Sequence, residues 1–379
     1  MYRDLNAFQP IAIVTKPNDA EKVWIARNGV GVYYSTDAGA SWVWRSNGLT
    51  NLNVLTLEMA PDNPNVIFAG CESYSPEEPN VFRTTDGGQN WSQTQSSPTT
   101  GSVFDIETPS AASNIILAGC WGGIYKSTDG GNNWNQKWGY STMDIARDPS
   151  NEGVFYAAND DFFFWGIIKS TDYGETWQDI SPSNIQGLPK KVAISSRPIW
   201  TLFVATDVAG VYWTNDSNGS WWRLAARDEG IYDQMAFSIA IDTIPLQPNF
   251  LLLATRTYLY RSTDFGNSWT PSVSGMRKTV AVASFSPAQP DYLYAKVIRD
   301  AGWSFPAATI YRSLNQGDSW DLIYSFTSAE SFLFGPRNIV AHPQSTNTVH
   351  FQFKHWDDVN HRIYSSFRCR LNMGGIRIL

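Results

Sequence analysis

The sequence contains few residues that could form covalent cross-links or bind a metal. Among its 379 residues there are three cysteines and four histidines. Three cysteines do not make a disulfide framework, and Cys71 and Cys120, which occupy equivalent places in successive repeats, are predicted to be free buried thiols. His355, Asp357 and His361 could surround one loop, but their spacing matches no standard zinc pattern. We therefore predict solvated loop residues there, and neither a metal nor a cofactor.

Charge and long apolar runs are also scarce. Charged residues make up 17% of the chain and the net charge is -7, which argues against a broad basic surface for nucleic acid. No stretch approaches the roughly 18 apolar residues of a membrane span, and residues 1–6 carry no apolar signal core. There is no Gly-x-Ser-x-Gly elbow, P-loop or dinucleotide fingerprint. These absences predict a soluble protein, extracellular or surface-associated if a signal has been removed and otherwise cytoplasmic.

The sequence is rich in tryptophan, with 17 residues, and it repeats one short segment. Its cleanest copy, at 127–134, reads Ser-Thr-Asp-Gly-Gly-Asn-Asn-Trp, and in each of seven copies a Trp follows the Asp or Asn by five positions. We call this segment the Asp/Trp motif. Successive copies are 43 to 51 residues apart, and a period in this range is typical of solenoids, propellers and arrays. The acidic or amide residues of the seven copies are Asp37, Asp86, Asp129, Asp172, Asp216, Asp264 and Asn315.

Each repeat contains four short segments with the pattern of β-strands. In the second repeat, residues 54–59 alternate between apolar and polar side chains, and 65–70 are almost continuously apolar. Residues 81–84 form a third such segment, and 91–94 begin a fourth. Four antiparallel strands per repeat make the blade of a β-propeller.

The pattern occurs eight times, although the eighth repeat has Phe367 where the motif would have Asp. We predict an all-β chain, 1–379, forming a single closed propeller of eight blades, with seven blades as the alternative. The last blade would take its fourth strand from residues 375–379 or from residues 2–5, which would remove an open sheet edge. The predicted blades span approximately 10–47, 53–97, 102–138, 141–182, 191–226, 235–275, 278–327 and 337–379.

The Asp/Trp motif resembles the Asp-box, or BNR repeat, Ser-x-Asp-x-Gly-x-x-Trp. This repeat is seen in sialidases, xyloglucanase-type glycoside hydrolases, sortilin-like receptor domains and photosystem II assembly factors, so the resemblance implies a propeller. The Asp is expected to accept backbone hydrogen bonds across the hairpin between the third and fourth strands, and the Trp to pack on the neighbouring sheet. We predict a structural role for these aspartates, because seven similar sites spread around a ring cannot form one active site.

Functional residues are expected at the end of the propeller opposite the Asp/Trp motifs, in the connections between the second and third strands. These connections contain carboxylates, arginines and aromatic residues, a combination that suits a sugar-binding surface, although some of the aromatics could instead pack between blades. The predicted ligand-binding residues are Glu72, Trp121, Trp165, Arg256, Arg299, Trp303 and Trp356.

One segment suggests catalysis. Residues 202–213 look like the Thr-Asp-Val-Gly-Gly-x-Tyr-x-Trp segment of the xyloglucanase type, in which the Asp is one of a catalytic carboxylate pair. The resemblance implies that Asp207 is catalytic, with Asp160, Asp300 or Asp358 as its partner. That family, however, places its substrate between two propellers, and the segment here falls in the fifth repeat rather than the first.

Three functions remain open on the sequence. We favour a ligand-binding propeller that recognises a glycan. The alternatives are a glycoside hydrolase of the xyloglucanase type and a propeller for protein binding, assembly or surface attachment. A sialidase is disfavoured because the arginines near the predicted ligand face do not clearly form a triad.

Overall fold

The protein is described by a computed structural model. The residues that the structure describes are 10–16, 19–27, 29–36, 42–75, 78, 80–95, 101–109, 114–183, 185–195, 200–215, 220–224, 236–241, 250–255, 258–264, 266–272, 274, 280–285, 293–298, 308–325, 339–341, 348–357, 362–372 and 375–378.

These residues form β-strands and turns, and no helix occurs among them. The strands make eight four-stranded sheets, which we number in chain order. Strands pair antiparallel with their neighbours in sequence, as the register of seven sheets shows. The prediction of an all-β chain of four-stranded antiparallel units is confirmed.

The first four sheets contain the following strands. Sheet 1 has β1 (Pro10–Lys16), β2 (Asp19–Arg27), β3 (Gly31–Ser35) and β4 (Val43–Trp44); sheet 2 has β5 (Val54–Met59), β6 (Ile67–Cys71), β7 (Val81–Thr84) and β8 (Ser92–Gln93). Sheet 3 has β9 (Val103–Glu107), β10 (Ile116–Cys120), β11 (Gly123–Ser127) and β12 (Asn135–Trp138); sheet 4 has β13 (Thr142–Arg147), β14 (Phe155–Asp160), β15 (Trp165–Ser170) and β16 (Gln178–Asp179).

The remaining sheets continue the same order. Sheet 5 has β17 (Pro189–Ser195), β18 (Thr201–Thr206), β19 (Gly210–Thr214) and β20 (Trp222–Leu224); sheet 6 has β21 (Ala236–Ile241), β22 (Leu251–Thr255), β23 (Leu259–Ser262) and β24 (Thr270–Pro271). Sheet 7 has β25 (Val280–Phe285), β26 (Leu293–Ile298), β27 (Ala308–Ser313) and β28 (Asp321–Ser325); sheet 8 has β29 (Ile339–Ala341), β30 (Thr348–Asp357), β31 (Arg362–Asn372) and β32 (Gly375–Ile378).

The chain divides into two compact units. The first contains the described residues of 1–36, 42–204 and 213–222, and the second contains those of 205–212 and 223–379. Sheets 1 to 4 therefore belong to the first unit, and sheets 6 to 8 belong to the second.

Within each unit the sheets pack in sequence, through their first strands. In the first unit β1, β5, β9, β13 and β17 contact one another in order, and in the second unit β21, β25 and β29 do the same. The second strand of a sheet also contacts the first strand of the next sheet, as β6 contacts β9. Apolar side chains from both sheets fill the space between them, which is the packing that successive propeller blades require.

The position of a strand in its sheet determines its burial. The second strands, such as β6 (Ile-Phe-Ala-Gly-Cys) and β10 (Ile-Leu-Ala-Gly-Cys), are buried along their whole length, because neighbouring sheets cover both of their faces. Cys71 and Cys120 end these two strands and are free and buried, as predicted. The fourth strands β8 and β16 have two exposed polar residues each, and short polar edges resist pairing with other chains.

Sheet 8 takes its fourth strand from the tail of the sequence. β32 pairs with β31 in the register Cys369↔Ile378, so the first of the two predicted alternatives is the one that the structure has. The other candidate, residues 2–5, lies outside the described residues. β31 runs on through Phe367, which pairs with Phe351, so the strand continues where the other repeats turn.

Candidate functional site

The Asp/Trp motif forms a hydrogen-bonded turn. In the copy at 127–134, the Ser127 hydroxyl donates to Asp129 Oδ1 at 2.9 Å, and the Gly131 N–H donates to Ser127 Oγ at 2.9 Å. Asn133 donates its backbone N–H to Asp129 Oδ1 at 2.9 Å and its amide Nδ2 to Oδ2 at 2.7 Å. Both carboxylate oxygens are therefore occupied within the turn itself.

The same contacts recur in the other described copies. The hydroxyl that donates to the motif's Asp or Asn belongs to Thr84, Ser170, Ser262 and Ser313, and the acceptors are Asp86, Asp172, Asp264 and Asn315. In the last copy the side-chain hydrogen bond runs in the opposite direction, because Asn315 Nδ2 donates to Ser319 Oγ at 2.9 Å. Asp37 and Asp216 lie outside the described residues.

These hydrogen bonds favour the charged carboxylate. Desolvation raises the pKa of Asp172, but hydrogen bonds from Thr176 and Ser170 outweigh it and lower the pKa to about 2. The backbone hydrogen bond from Asn133 lowers the pKa of Asp129 in the same way. A general acid needs a raised pKa, so these aspartates have the properties of turn-stabilising groups.

The motif's Trp packs on the preceding sheet. Trp91 Nε1 donates to Arg45 O at 2.7 Å, and Trp320 Nε1 donates to Ser272 Oγ at 3.0 Å. Trp134 lies in one apolar cluster with Phe68 of sheet 2. The turns that contain Trp91, Trp134 and Trp320 therefore join their own sheets to the ones before them.

A basic residue just before the motif's Ser or Thr reinforces this junction. Lys126, which is buried, donates to Glu175 Oε2 of the next turn at 3.0 Å. In the second unit Arg261 donates to Gln316 O at 2.7 Å and pairs with Asp318. Sequence reasoning missed this contact, although the repeated Lys/Arg-Ser/Thr-x-Asp/Asn order was the signal for it.

At the opposite end of the first unit, equivalent hydrogen bonds position the connections between second and third strands. A backbone N–H at the end of each second strand, or just after it, donates to a carbonyl before the first strand: Glu72 to Asn53 at 2.8 Å, Trp121 to Ser102 at 2.9 Å and Asp160 to Ser141 at 3.1 Å. Three of the predicted ligand-binding or catalytic residues thus occupy the same structural position in sheets 2, 3 and 4.

These connections expose large aromatic side chains. Trp121 is 65% exposed and Phe162 is 88% exposed, and Tyr74 and Phe163 are similarly open to solvent. The phenol of Tyr74 donates to Glu72 Oε1 at 2.6 Å, so a carboxylate lies beside this aromatic ring. We call Tyr74, Trp121, Phe162 and Phe163 the aromatic row.

Direct contacts join the neighbouring sheets at this end of the first unit. The Ser73 N–H donates to Ser102 Oγ at 3.2 Å, which links sheet 2 to sheet 3. The ring of Trp138, at the end of sheet 3, lies 5.5 Å from the ring of Phe164 in sheet 4, measured between centroids. The aromatic row therefore stands on one continuous surface of the first unit.

A pocket of about 790 Å³ lies next to Phe162. It is lined by Asp160, Asp161, Phe162 and Trp165 of sheet 4 and by residues 185–188, which lead to sheet 5. The structure thus brings together two of the predicted site residues, Asp160 and Trp165. Residues 185–188 were missed, since a short link without a motif gives no signal in a single sequence.

Two carboxylates in the pocket have defined partners. Asp160 forms an ion pair with Lys190 of β17. Asp161 accepts hydrogen bonds from the backbone N–H of Ser141 at 3.2 Å and of Phe163 at 2.9 Å. Both carboxylates are fixed in orientation by these contacts.

Asp207 occupies a tight turn between β18 and β19. The Ala209 N–H donates to Thr206 Oγ1 at 3.1 Å, and the Thr206 hydroxyl donates to Gly210 O at 3.0 Å, which fixes the turn. Asp207 belongs to the second unit and Asp160 to the first. The catalytic role of Asp207 stays a prediction.

The remaining predicted site residues are not described in side-chain detail. Asp300, Asp358, Arg256, Arg299, Trp303 and His361 lie outside the described residues. His355, Trp356 and Asp357 lie in β30, whose backbone alone is described. Among the residues the structure describes, no group of three or more His, Cys, Asp or Glu side chains could hold a metal. Within the same residues no helix is long and apolar enough to cross a membrane.

Sequence reasoning also missed a network of charged residues on the first strands of the first unit. Asp144 is buried and accepts from Lys191 Nζ at 2.5 Å and from the Val192 N–H at 2.9 Å. Asp105 accepts from the Ile145 N–H at 2.9 Å. The signal was polar residues at alternate positions of otherwise apolar strands, as in Val-Phe-Asp-Ile-Glu at 103–107.

Two glutamates extend this network. The Thr108 hydroxyl donates to Glu58 Oε1 at 2.8 Å, and Arg147 Nε lies 3.5 Å from Glu107 Oε1. Burial raises the pKa of Glu58 to about 7 and that of Glu107 to about 8, with neighbouring carboxylates adding to the effect. The network can therefore take up protons near neutral pH.

Comparison with known proteins supports the fold. No protein-family model matches the sequence, and no curated protein does. Among solved structures, the chain is similar to Sqt1 from Saccharomyces cerevisiae, with a TM-score of 0.61 and 11% identity over 93% of this chain and 94% of that one. It is also similar to YCF48 bound to D1 peptide, with a TM-score of 0.54 and 19% identity over 76% of this chain and 90% of that one.

A third similar structure is the GH74 xyloglucanase from Xanthomonas campestris. The TM-score is 0.58 and the identity 12%, over 95% of this chain and 54% of that one, so the chain spans about half the length of the enzyme. All three proteins are β-propellers. At such identities the likeness shows the fold alone, and the class of this protein is therefore a β-propeller.

Proposed function

We propose that the protein is a single closed propeller of eight blades, built on Asp-box turns, that binds a glycan at the end where the aromatic row lies. The observation that carries this proposal is the recurrence of exposed aromatic side chains at equivalent connections of three successive sheets. A large aromatic side chain is costly to leave in water, and four of them on three neighbouring connections mark a binding surface.

The chemistry of the surface favours a carbohydrate. Aromatic rings stack on the apolar faces of pyranose rings, and carboxylates accept hydrogen bonds from sugar hydroxyls. Both kinds of group occur together here, since Glu72 accompanies Tyr74 and Asp161 accompanies Phe163. The xyloglucanase that the chain resembles in fold acts, by its name, on a polysaccharide.

Protein binding is the second candidate. The nearly complete exposure of Phe162 and Phe163 would also suit a partner with an apolar surface. YCF48, which is similar in fold, was solved with a bound peptide.

A polysaccharide screen tests the proposal, scored for retention of the protein and for release of reducing ends. Trp121→Ala is expected to weaken retention about tenfold, because the stacking of a sugar ring on an aromatic side chain contributes about 1–1.5 kcal/mol. Trp44→Ala is the matched control, since Trp44 is half-exposed on the outer strand of sheet 1.

The outcomes separate the candidates. Retention lost in Trp121→Ala and kept in Trp44→Ala supports glycan binding. Release of sugar that is abolished by Asp207→Asn would establish the hydrolase instead, with Asp160, Asp300 and Asp358 as candidate partners to replace next. Absence of both retention and release would overturn the glycan proposal and favour a protein partner.

A further inference from the structure

The lining of the pocket beside Phe162 is mostly apolar. Trp165 and Phe162 provide aromatic surface, and Ile185 and Leu188 provide aliphatic surface. Its polar side chains are the carboxylates of Asp160 and Asp161 and the amide of Gln186. A ligand that fills this space must present apolar atoms to most of the lining and hydrogen-bonding groups to these few side chains.

An ordinary hexose satisfies only part of this requirement. Its hydroxyls can donate to Asp161, whose two oxygens are each bonded once and can accept further bonds. A hydroxyl that meets only the side chains of Ile185 and Leu188, and not the amide of Gln186, would lose its water without gaining a partner, which is unfavourable. A methyl group at the same place would be buried favourably.

The charges of the site exclude an acidic ligand. Lys190, the cation beside the pocket, is already paired with Asp160. Asp161 takes its hydrogen bonds from backbone N–H groups, and no Lys or Arg among the residues that the structure describes forms an ion pair with it. A carboxylate or sulfate on the ligand would face this charge and be repelled.

We infer that the pocket takes the end of a neutral glycan whose terminal pyranose carries a methyl group, in an acetamido or a 6-deoxy substituent. This inference rests on the proposed glycan-binding function. In it, the aromatic row supports the length of the glycan, and the pocket selects its terminal residue.

Matched oligosaccharides test the inference by titration calorimetry. Chitotetraose and cellotetraose differ only in having an acetamido group or a hydroxyl at carbon 2, and a fucosylated oligosaccharide with its unfucosylated counterpart tests the 6-deoxy source. At least one methyl-bearing ligand is expected to bind about fourfold tighter or more than its counterpart, the effect of one buried methyl group. A sialylated oligosaccharide is expected to bind more weakly than its neutral form.

Variants assign the preference to the pocket. Leu188→Asn keeps the approximate size of the side chain and removes its apolar character, so it should abolish the preference for the methyl-bearing member of each pair. Leu188→Met should retain the preference, which keeps the test valid if the Asn variant folds poorly. Val43→Asn, at an exposed position on β4, is the control and should change nothing.

The results distinguish the inference from the function on which it rests. Equal binding of both members of each pair, or tighter binding of the sialylated form, would overturn the inference while glycan binding stands. A preference that survives in Leu188→Asn would place it outside this pocket and overturn the inference too. Binding of none of the oligosaccharides, with a soluble amphipathic peptide bound instead, would overturn both.

Discussion

At the scale of single residues, the Asp/Trp turn depends on a carboxylate or amide that accepts hydrogen bonds and on a glycine that tolerates positive φ. Asp172 Oδ1 accepts from the backbone N–H of Thr176 at 2.9 Å, and Thr176 Oγ1 donates to Oδ2 at 2.5 Å. The Asn315 copy keeps the backbone bond, at 3.0 Å from the Ser319 N–H. An amide can therefore replace the carboxylate where the residue four positions on has a hydroxyl.

This equivalence gives the first prediction. Asp172→Ala removes the acceptor and should lower the free energy of unfolding by about 1–2 kcal/mol, while Asp172→Asn should cost less than half of that. Urea denaturation at pH 7 measures both. Equal losses in the two variants would show that the charge, and not the hydrogen bonds, stabilises the turn.

The same carboxylate should make the free energy of unfolding depend on pH in acid. Because its folded pKa of about 2 lies below the ordinary value of 3.8, its stabilising effect is complete above pH 4 and is lost as the pH falls towards 2. In Asp172→Asn, the decline of the unfolding free energy between pH 4 and pH 2 should therefore be shallower than in the wild type. A decline as steep as in the wild type would contradict this assignment.

Gly131 gives a third prediction at the residue scale. Its φ is +87°, and an added Cβ would lie 2.7 Å from Phe68 Cε1 in the neighbouring sheet. Gly131→Ala should therefore destabilise the protein by about 2 kcal/mol or more, through backbone strain and overpacking. Gly139→Ala, where nothing lies within 4 Å of the added atom, is the control and should change stability by less than about 0.5 kcal/mol. Similar losses at both positions would contradict the packing argument.

At the scale of elements, the junction between sheets 3 and 4 has an asymmetric ion pair. The side chain of Lys126 is buried, whereas that of Glu175 is half-exposed and also pairs with Lys137. Removing one partner of a buried pair leaves a charge without compensation, while replacing the buried charge by an apolar group does not. The two single substitutions should therefore differ in cost.

We expect Lys126→Met to change the free energy of unfolding by less than about 1 kcal/mol, and Glu175→Gln to lower it by about 1–2 kcal/mol. Thermal or chemical denaturation of the two variants makes the comparison. A Lys126→Met variant that is the less stable of the two would show that the ion pair itself, and not the avoidance of a lone buried charge, holds the junction.

The sequence predicted the elements better than it predicted the site. The predicted segments 54–59 and 81–84 coincide with β5 and β7, because apolar alternation and the turn residues of each repeat are local signals. The position of Trp121 and Asp160 at the ends of second strands also followed from the repeat. The pocket could not be predicted, since Ile185 and Leu188 reach it through a link whose course depends on the packing of two sheets.

At the scale of the whole molecule, the charged network on the first strands should make stability depend on pH. Burial raises the pKa of Glu107 from 4.5 to about 8, so between these values the folded protein binds a proton that the unfolded chain has released. The free energy of unfolding should therefore fall as the pH rises from about 5 to about 8.

Glu107→Gln tests this assignment. The loss of stability between pH 5 and pH 8 should shrink by about 1–3 kcal/mol, because one titrating group has been removed. The substitution of an exposed glutamate, Glu21→Gln, should leave the pH dependence as it is. Urea denaturation at pH 5 and at pH 8 measures the free energy of unfolding of both variants. An unchanged pH dependence in Glu107→Gln would assign the effect to other groups.

The turns that join each sheet to the preceding one have a consequence for how the protein opens. Since Trp91, Trp134 and Lys126 each bond or pack across a single junction, coupling within a unit acts between nearest neighbours. A sheet with a neighbour on both faces is then held by two junctions, and its amide hydrogens should exchange with solvent by the rarest openings. The cooperativity of unfolding within a unit therefore depends on the contacts that each repeat makes with its neighbour.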